Sequence, residues 1–355
     1  NTMRGNRIDA LFKSSGAYHA VDSDSIDALI VDEAHRLNQK SGVFSHLGEN
    51  QIKEIIGAAG LSIFFIDPNQ QVHWKDIGSK EEIEKWAHEK GATLHRANLR
   101  SQFRCNGSDG FLAWIDNALQ IRETANTHAR DLDYDVKVVD SPIELRDKIF
   151  EKNVEANRAR LLAGYCWDWR SKKDPEAYDI EVPEYGFSMR WNLDKDGMLW
   201  MIQPNSIHEI GCIHTCQGLE LDYVGVIIGP DLVVRNGKVL TQPEERSKMD
   251  ASIKGYKKAR RENQEEADAK AEAIIKNTYR TLLSRGVKGC YIWCTDPETN
   301  EYFKELIGSD KESGGVDESA EEAKAALRFL DGDEVRVHDR EERRRLHRHA
   351  GPRNP

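Results

Sequence analysis

The sequence predicts an α/β fold with mainly parallel sheets. Two apolar runs of strand length, 27–31 and 61–66, are separated by a segment with helical spacing at 50–59. Strand, helix and strand in that order favour a parallel sheet with crossover connections. Both runs lead into an aspartate, Asp32 and Asp67, and ligands of parallel sheets gather where the strands end.

Start and stop signals predict the helices that follow. Ser79 and Glu82 form a capping box before a helix that Gly91 ends. The stretch Ser141-Pro142-x-Glu144 combines an N-cap, an N1 proline and a capping glutamate, so another helix begins there. The other predicted helices are 111–121 and a charged helix at 254–276, which contains the basic cluster 257–261. Glu/Lys pairing on a solvated face is the simpler explanation of that cluster.

Further apolar runs predict the remaining strands. They lie at 136–139, 160–165, 209–214, 223–228 and 288–294, and residues 94–103 are predicted as a strand followed by a polar turn. Residues 167–203 are rich in Trp, Tyr, Asp, Pro and Lys with little periodicity, which predicts a long ordered loop or a small hairpin. Such a segment is either functional or a surface excursion, and the sequence leaves both open.

Composition limits the class of protein. For 355 residues two domains are expected, and 39% hydrophobic beside 32% charged residues is typical of a water-soluble protein. No apolar run approaches the ~18 residues of a membrane span, and no secretory signal opens the sequence, so a cytoplasmic location is expected. The net charge of −10 excludes a uniformly basic surface but not a basic groove, since nucleic-acid affinity depends on local Lys and Arg.

Four of the six cysteines form two C-x3-C pairs, Cys212 with Cys216 and Cys290 with Cys294. Zinc ligands usually have C-x2-C or C-x4-C spacing beside turn residues, whereas these pairs lie in apolar, strand-like runs. Reduced cysteines in such runs act as small core residues, and this is the favoured interpretation.

The stretch ALIVDEAH places two adjacent carboxylates, Asp32 and Glu33, at the end of a predicted strand. A carboxylate there can hold Mg²⁺ through water beside a nucleotide. Its neighbour can accept a proton from an attacking water. Acidic pairs after strands are common, so this pair alone decides little.

Five stretches in order resemble motifs II to VI of superfamily-one helicases. They are LIVDEAH, FFIDPNQQ, LRSQFR, CIHTCQGLELDYVGVIIG and YRTLLSRGVKGCYIWC. The residues of these five stretches are most similar to the Schlafen-type DNA/RNA helicase domain family of UvrD-like P-loop NTPases. The resemblance implies two RecA-like lobes. They are a partial first lobe at 1–97 and a second at 98–307 with an insertion around 167–205, followed by a flexible charged tail at 308–355.

The resemblance also implies that ATP and Mg²⁺ bind in a cleft between the lobes. It implies that Asp32 holds the metal, that Glu33 activates water, and that Gln70 reports the state of the γ-phosphate. Gln71 is the rival for the last role, and a simple turn residue is the alternative.

Two arginines are implied to stabilise the transferred phosphoryl group. Arg104 lies in QFR and Arg285 in LLSRG, and Arg100 is a competitor for the first role. A planar guanidinium meets two phosphoryl oxygens at once, which lysine cannot. A surface salt bridge is the alternative for each.

In the QGLE stretch, Gly218 permits a tight turn and Glu220 resembles the family glutamate that contacts the ribose. Gln217 stands where related motors have lysine, near the phosphates or the strand. His214 and Thr215 are implied to couple the site to single-stranded DNA or RNA, although a core role for His214 is nearly as well supported.

Trp74 follows the DPNQQ turn and is a candidate for stacking on a base, because an aromatic face accepts any base. Tryptophan in such a place is more often a packing residue at the edge of a core. The sequence favours the second reading but excludes neither.

The phosphate loop G-x-x-x-x-G-K-[ST] does not occur in the sequence, and the nearest stretch, Asn236-Gly237-Lys238-Val239, lacks its Ser/Thr and its upstream glycine. NTMRGNRIDALF resembles the segment that follows this loop and its strand in the family, so the sequence is expected to start past the loop. This polypeptide alone is expected to hydrolyse ATP poorly, and a longer parent to be a nucleic-acid-dependent ATPase. The expected function is an ATP-dependent helicase or translocase-like motor. The alternative is a nucleotide-gated nucleic-acid-binding or defence-type switch without unwinding.

Overall fold

A computed structural model describes residues 11–42, 46–98, 109–129, 132–192, 200–201, 203–216 and 220–308. The first sheet is a parallel pair, β1 (Ile26–Val31) and β2 (Ala59–Phe64), with Ala28 opposite Leu61. Helix α1 (Gln51–Ala58) makes the crossover and begins at Asn50, whose side chain accepts hydrogen bonds from two backbone N–H groups. The predicted strand–helix–strand unit is confirmed.

Helix α2 (Lys80–Lys90) packs beside α1 over one face of this pair of strands. The Ser79 hydroxyl accepts a hydrogen bond from the Glu82 N–H at 3.1 Å, which caps the helix as predicted. Gly91 ends it with φ of 72°, a left-handed conformation that glycine adopts without steric cost. The small core between these helices and the sheet includes Ala34, Ile52, Ile55, Ile83 and Ala87.

The second sheet has seven strands in the described part of the chain, in the order β3-β11-β8-β4-β7-β6-β5. These strands are β3 (Asp135–Val138), β4 (Ala159–Ala163), β5 (Ile180–Val182), β6 (Phe187–Trp191), β7 (Glu209–Gly211), β8 (Leu221–Ile228) and β11 (Gly286–Cys294). All neighbours are parallel except β5 and β6. The predicted α/β class with mainly parallel sheets is therefore confirmed.

Helices cover both faces of the larger sheet. They are α3 (Asp109–Ala118), α4 (Pro142–Ala156), α5 (Ile213–Cys216), α7 (Gln264–Leu283) and α8 (Pro297–Ile307). Helix α6 (Tyr256–Glu262) packs against α7 instead. The core on one face joins α3, α7 and α8, and the core on the other face includes residues of α4. Strands β4 and β8 are almost wholly buried, which explains their continuous apolar runs.

The insertion at 167–203 contains the small hairpin that was predicted as one of two possibilities. Strands β5 and β6 pair antiparallel, with Ile180 opposite Met189, and β6 then lies parallel to β7. The hairpin therefore extends the edge of the large sheet. Residues 193–199 and 202 lie outside the described residues.

A second hairpin was missed. Strands β9 (Leu232–Arg235) and β10 (Lys238–Thr241) pair antiparallel around Asn236 and Gly237, whose φ angles are 52° and 73°. An Asn-Gly pair between apolar residues is a strong signal for this turn. In the sequence, Asn236 and Gly237 also resemble part of a phosphate loop, but they form the turn of this hairpin.

Three predicted elements need correction. The charged helix at 254–276 is two helices, α6 and α7, because Asn263 leaves the helical conformation (φ −148°) and caps α7. The strand at 209–214 ends at Gly211 and gives way to α5, which contains His214 and Thr215. Residues 94–98 are exposed and form no strand, since no neighbouring strand pairs with them, and residues 99–103 lie outside the described residues.

The two-stranded sheet lies before residue 98 and the seven-stranded sheet after it. The described residues up to Gly308 form one compact unit. The predicted tail, from 309 onward, lies outside the described residues. Within the described part of the chain, no helix combines the length and apolar character of a bilayer span.

Candidate active site

Asp32 and Glu33 lie directly after β1, where the tip of this strand meets the tip of β2. The backbone groups of Val31, Ala34 and Phe65 connect the two tips through hydrogen bonds of 2.8 Å. Asp32 is exposed, and its Oδ1 accepts a hydrogen bond from the Glu33 N–H at 2.9 Å. Glu33 has φ of 51°, a strained conformation for a residue with a side chain, and such strain occurs often at functional sites.

The Glu33 carboxylate lies against a buried histidine. Its Oε2 is 2.9 Å from Nε2 of His35, whose side chain is almost completely buried. The other ring nitrogen, Nδ1, accepts a long hydrogen bond of 3.5 Å from the Asp67 N–H. Since Nδ1 is the acceptor, the proton of a neutral ring belongs on Nε2, which faces Glu33. His35 therefore joins the residue after β1 to the residues after β2.

Gln70 continues this series of contacts. It is only 3% exposed, and its Nε2 donates a hydrogen bond to Asp67 Oδ2 at 2.8 Å. Its Oε1 accepts a hydrogen bond of 3.1 Å from Nη2 of Arg285, which belongs to the second sheet's half of the chain. The neighbouring Gln71 donates its amide to the Gly78 carbonyl instead. Of the two glutamines, Gln70 is thus the one that contacts Arg285.

Arg285 lies between the end of α7 and β11, and it is 2% exposed. Its Nε donates a hydrogen bond to the Thr281 carbonyl at 3.1 Å, which orients the guanidinium. Its own carbonyl accepts from the Leu221 N–H at 3.0 Å, so Glu220 lies beside the backbone of Arg285. Burial raises the pKa of the nearby Cys216 thiol to about 12, and the positive charge of Arg285 opposes that shift.

This arrangement brings four chemical functions into one connected series. An exposed carboxylate, a second carboxylate beside a histidine, a buried amide and a buried guanidinium follow one another from the tip of β1 to the start of β11. Carboxylates suit a hard cation and a water nucleophile, and a guanidinium suits phosphate oxygens. The set fits phosphoryl transfer better than acyl transfer, since it provides charge stabilisation rather than a nucleophile.

Comparison with protein families agrees with this geometry. Residues 2–296 match the family described as "Schlafen group 3, DNA/RNA helicase domain". The chain belongs to this family. Membership confirms the resemblance inferred from the motifs, and it supports a nucleic-acid motor-like function and an interaction with nucleic acid in general.

A relative in yeast extends this comparison. The chain is similar to "Uncharacterized protein YPL245W" of Saccharomyces cerevisiae, with 27% identity over 308 residues. The match covers 78% of this chain and 64% of the yeast protein, so the chain spans less than two thirds of that relative.

In this Schlafen group 3 domain, His214 and Thr215 lie on α5, after β7. His214 has a side chain 36% exposed, and its Nε2 is 3.7 Å from Oδ1 of the buried Asp250. Thr215 donates its hydroxyl to the Cys212 carbonyl and accepts from the Cys212 N–H, both at 3.0 Å. The hydroxyl of Thr215 is thus used within its own helical turn, whereas His214 presents part of its ring to solvent.

Trp74 is half-buried and lies against residues of the second half of the chain. Its ring is 6.1 Å from that of Tyr256 at an angle of 68°, and the Lys270 Nζ is 5.0 Å from the ring centroid. The structure therefore places it in packing contacts rather than on an open surface. Stacking on a base stays a prediction.

Several predicted site residues cannot be located. Arg104 and its competitor Arg100 lie outside the described residues, as do Gln217 and Gly218. Glu220 is described and exposed, immediately before β8. The proposed roles of these residues stay predictions.

The four cysteines of the two C-x3-C stretches are free thiols buried in the core. Cys212 directly precedes α5 and Cys216 is its last residue, while Cys290 and Cys294 lie on β11. In the described ranges there is no group of three or more side chains suited to hold a metal ion.

Sequence reasoning missed two residues of this site. His35 was quoted within DEAH but given no role, although its position two residues after Glu33 was a usable signal. Asn277 donates from Nδ2 to the Gln71 carbonyl at 3.0 Å. Its position eight residues before Arg285, near two helical turns, was the only signal, and it is weak.

Proposed function

We propose that this domain is the motor of an ATP-dependent DNA or RNA helicase or translocase, with ATP hydrolysed between its two lobes. The observation that carries the proposal is the hydrogen bond between Gln70 and Arg285. It joins the turn after β2 in the first lobe to the arginine before β11 in the second lobe. A triphosphate held at this junction would touch both lobes, so its hydrolysis would change how they fit.

The donor set suits magnesium and a nucleoside triphosphate. Asp32 presents an exposed carboxylate at the tip of β1, and oxygen ligands of this kind are what Mg²⁺ prefers. Magnesium, when bound, would neutralise charge on the phosphate oxygens. Asp32 would hold the ion, directly or through water.

Glu33 is the proposed general base. Its carboxylate lies 2.9 Å from the buried His35, beside the exposed Asp32. A carboxylate in this position would accept a proton from the attacking water. The strained backbone at Glu33 fixes the direction of this side chain relative to Asp32. The two carboxylates thus have separate roles, one toward the metal and one toward water.

Gln70 and Arg285 are the proposed sensor and charge stabiliser. Arg285 can turn two N–H groups toward phosphoryl oxygens, which carry most of the charge in the transition state. Gln70 is uncharged and donates as well as accepts, so it can exchange the guanidinium for a phosphate oxygen or a water. Arg104, from the QFR motif, would supply the second guanidinium.

The proposed partner is a single strand of DNA or RNA. His214 is a candidate contact because its ring is partly exposed. Its Nε2 lies 3.7 Å from Oδ1 of Asp250, which orients the ring. Gly218, Glu220 and Gln217 would contact the nucleotide rather than the strand. Coupling through Thr215 would act on the backbone of α5, since its hydroxyl is already occupied.

The test is ATP hydrolysis by the protein produced from its complete coding sequence, with and without single-stranded DNA or RNA. Glu33→Gln is expected to lower stimulated turnover by about 100-fold or more, because the general base is lost. Glu49→Gln, at an exposed residue that pairs with Lys53 on the surface, is the control and should leave turnover unchanged. Stimulated turnover that survives Glu33→Gln would disprove the proposal.

A duplex with a single-stranded tail separates the two functional classes. Strand displacement that depends on ATP supports a helicase. ATP-dependent binding of nucleic acid or protein, without displacement or translocation, would favour a nucleotide-gated or defence-type switch that does not unwind.

A further inference from the structure

Residues Gln70 to Trp74, here called the bridging segment, leave the first sheet and dock into the second half of the molecule. Gln70 contacts Arg285. Val72 is 2% exposed and belongs to the core formed by Phe111, Trp114 and other residues of the larger sheet's face. The segment therefore follows β2 in sequence, but part of it packs into the core of the second half of the chain.

Two backbone groups of the bridging segment form hydrogen bonds with the second half of the chain. Asn277 Nδ2 donates to the Gln71 carbonyl at 3.0 Å. The Trp74 N–H donates to the carbonyl of Ser252. Along α7 and just beyond it, Lys270, Asn277 and Arg285 contact Trp74, Gln71 and Gln70 in reverse order. The segment thus runs antiparallel to α7 along most of the helix.

The half-buried Trp74 ring contacts three residues from the second half of the chain. Lys270 Nζ lies over the ring, and Tyr256 meets it edge-on. On another side is Gly255, where a Cβ would come within 3.2 Å of two atoms of the indole. Gly255 also has φ of 117°, so both space and backbone favour glycine there.

The anchor point on the second lobe is itself rigid. Asp250 accepts hydrogen bonds from the N–H and hydroxyl of Ser252, at 2.8 and 2.6 Å. Asp250 is in turn held by Arg246 Nε at 2.6 Å, and all three side chains are buried. A carbonyl at Ser252 fixed in this way gives the Trp74 N–H a defined partner.

We infer that Trp74 and Asn277 are positioning residues that hold Gln70 against Arg285, and that Trp74 anchors the lobes instead of stacking on a base. The inference rests on the proposed function of Gln70 and Arg285. Displacement of a catalytic group by about 1 Å lowers turnover strongly, so two contacts within four residues of Gln70 are well placed to control it.

The position of Lys270 also argues against a base on this ring. A cation over an aromatic face is attracted to the ring, and it occupies the space that a stacked base needs. Burial lowers the pKa of Lys270, while the carboxylates of Asp76 and Glu266 oppose that shift and favour the charged ammonium.

Kinetics with matched variants provide the first test. In the protein from the complete coding sequence, Trp74→Ala and Asn277→Ala should each lower kcat about tenfold, with KM for ATP within about twofold. Trp74→Phe should recover most of the loss, because a ring remains beneath Lys270. Trp86→Ala is the control, since Trp86 also lies beneath lysines, Lys53 and Lys85, but within the first lobe.

Affinity for an oligothymidylate without nucleotide separates the two roles of Trp74. Anchoring predicts that Trp74→Ala binds it within about twofold of the unchanged protein, since no base contact is lost. A loss of affinity of about tenfold or more with kcat unchanged at saturating strand would show stacking, and would overturn the inference while leaving the proposed function intact.

Hydrogen exchange on the 355-residue chain supplies a readout that needs no turnover. Asn277→Ala should speed exchange of the Trp74 amide by about tenfold, because the bridging segment loses one of its two backbone hydrogen bonds to the second half of the chain. Unchanged exchange would contradict the inference. If exchange responds but Glu33→Gln leaves ATP turnover intact, the anchor stands and the proposed function fails.

Discussion

Gln70 and Arg285 are 215 positions apart in the sequence, and a hydrogen bond of 3.1 Å joins their buried side chains. Gln70 also donates to Asp67 at 2.8 Å, so one amide holds a guanidinium on one side and a carboxylate on the other. Neither partner can move without disturbing the amide. The amide of Gln70 therefore connects the residues after β2 with the arginine before β11.

This hydrogen bond should appear as a coupling energy in the stability of the 355-residue chain. Gln70→Ala, Arg285→Ala and the double variant form a cycle, and the coupling is expected to be about 1–2 kcal/mol. Each single change leaves the other group buried without this partner, so the double variant should cost less than the sum. Urea unfolding gives the four free energies.

Gln71 provides the matched control for this cycle. Its amide donates to the Gly78 carbonyl and not to Arg285. Gln71→Ala combined with Arg285→Ala should therefore be additive to within about 0.5 kcal/mol. Equal coupling energies in both cycles would mean that the coupling does not come from the Gln70–Arg285 hydrogen bond.

Asp76 is expected to make the chain less stable as the pH rises toward neutrality. Burial raises the pKa of Asp76 to about 6, although the N–H groups of His73 and Val72 donate to its carboxylate. A folded pKa above the unfolded value near 4 means that the native state binds the proton more tightly. This stabilisation is present at low pH and is lost as the pH rises through about 6.

Asp76→Asn should remove that dependence. Relative to the unchanged chain, the variant should gain about 1 kcal/mol of stability between pH 5 and pH 7, and the gain should level off above. Urea unfolding at several pH values measures it, with Asp147→Asn on the surface as the control. A gain that is constant across this range would show that Asp76 is not the titrating group.

Local signals predicted much of the fold. The caps at Ser79 and Ser141 work through atoms within three residues, so the sequence alone places the starts of α2 and α4. The buried runs of β4 and β8 likewise identify strands covered on both faces. For the site, the motif order selected Gln70 and Arg285, which the structure brings into contact.

What the sequence could not supply depends on contacts between distant residues. Asn277 donates to the Gln71 carbonyl from 206 positions away in the sequence, and nothing near either residue indicates this contact. The sequence around Trp74 is compatible with packing in a core and with stacking on a base. The difference lies in contacts with Lys270 and Tyr256, which are distant in the sequence. The break at Asn263 was missed because periodicity continues across it.

Asn263 should be a measurable cap of α7. Its Oδ1 accepts from the Glu266 N–H at 3.3 Å, and its amide donates back to the Glu266 carboxylate at 3.1 Å. Asn263→Ala is expected to lower the free energy of unfolding by about 1 kcal/mol. Asn263→Asp should lower it much less, because aspartate also caps helices. Asn205→Ala, at an exposed asparagine, is the control. If Asn263→Ala leaves the free energy of unfolding unchanged, the cap is not needed, and α6 and α7 tolerate fusion into one helix.

Asp250 should show a pH dependence of the opposite sign to that of Asp76. Burial alone would raise its pKa, but the Arg246 guanidinium outweighs burial and holds the pKa of this carboxyl well below its usual range. A depressed folded pKa gives stability that is present above the unfolded value near 4 and is lost as the pH falls. Asp250→Asn should therefore cost about 2–4 kcal/mol at pH 7, since Arg246 loses a buried partner, and less as the pH approaches 4. In urea unfolding, Asp76→Asn and Asp250→Asn should diverge with rising pH, and parallel pH profiles would refute the buried ion pair as the source of this stability.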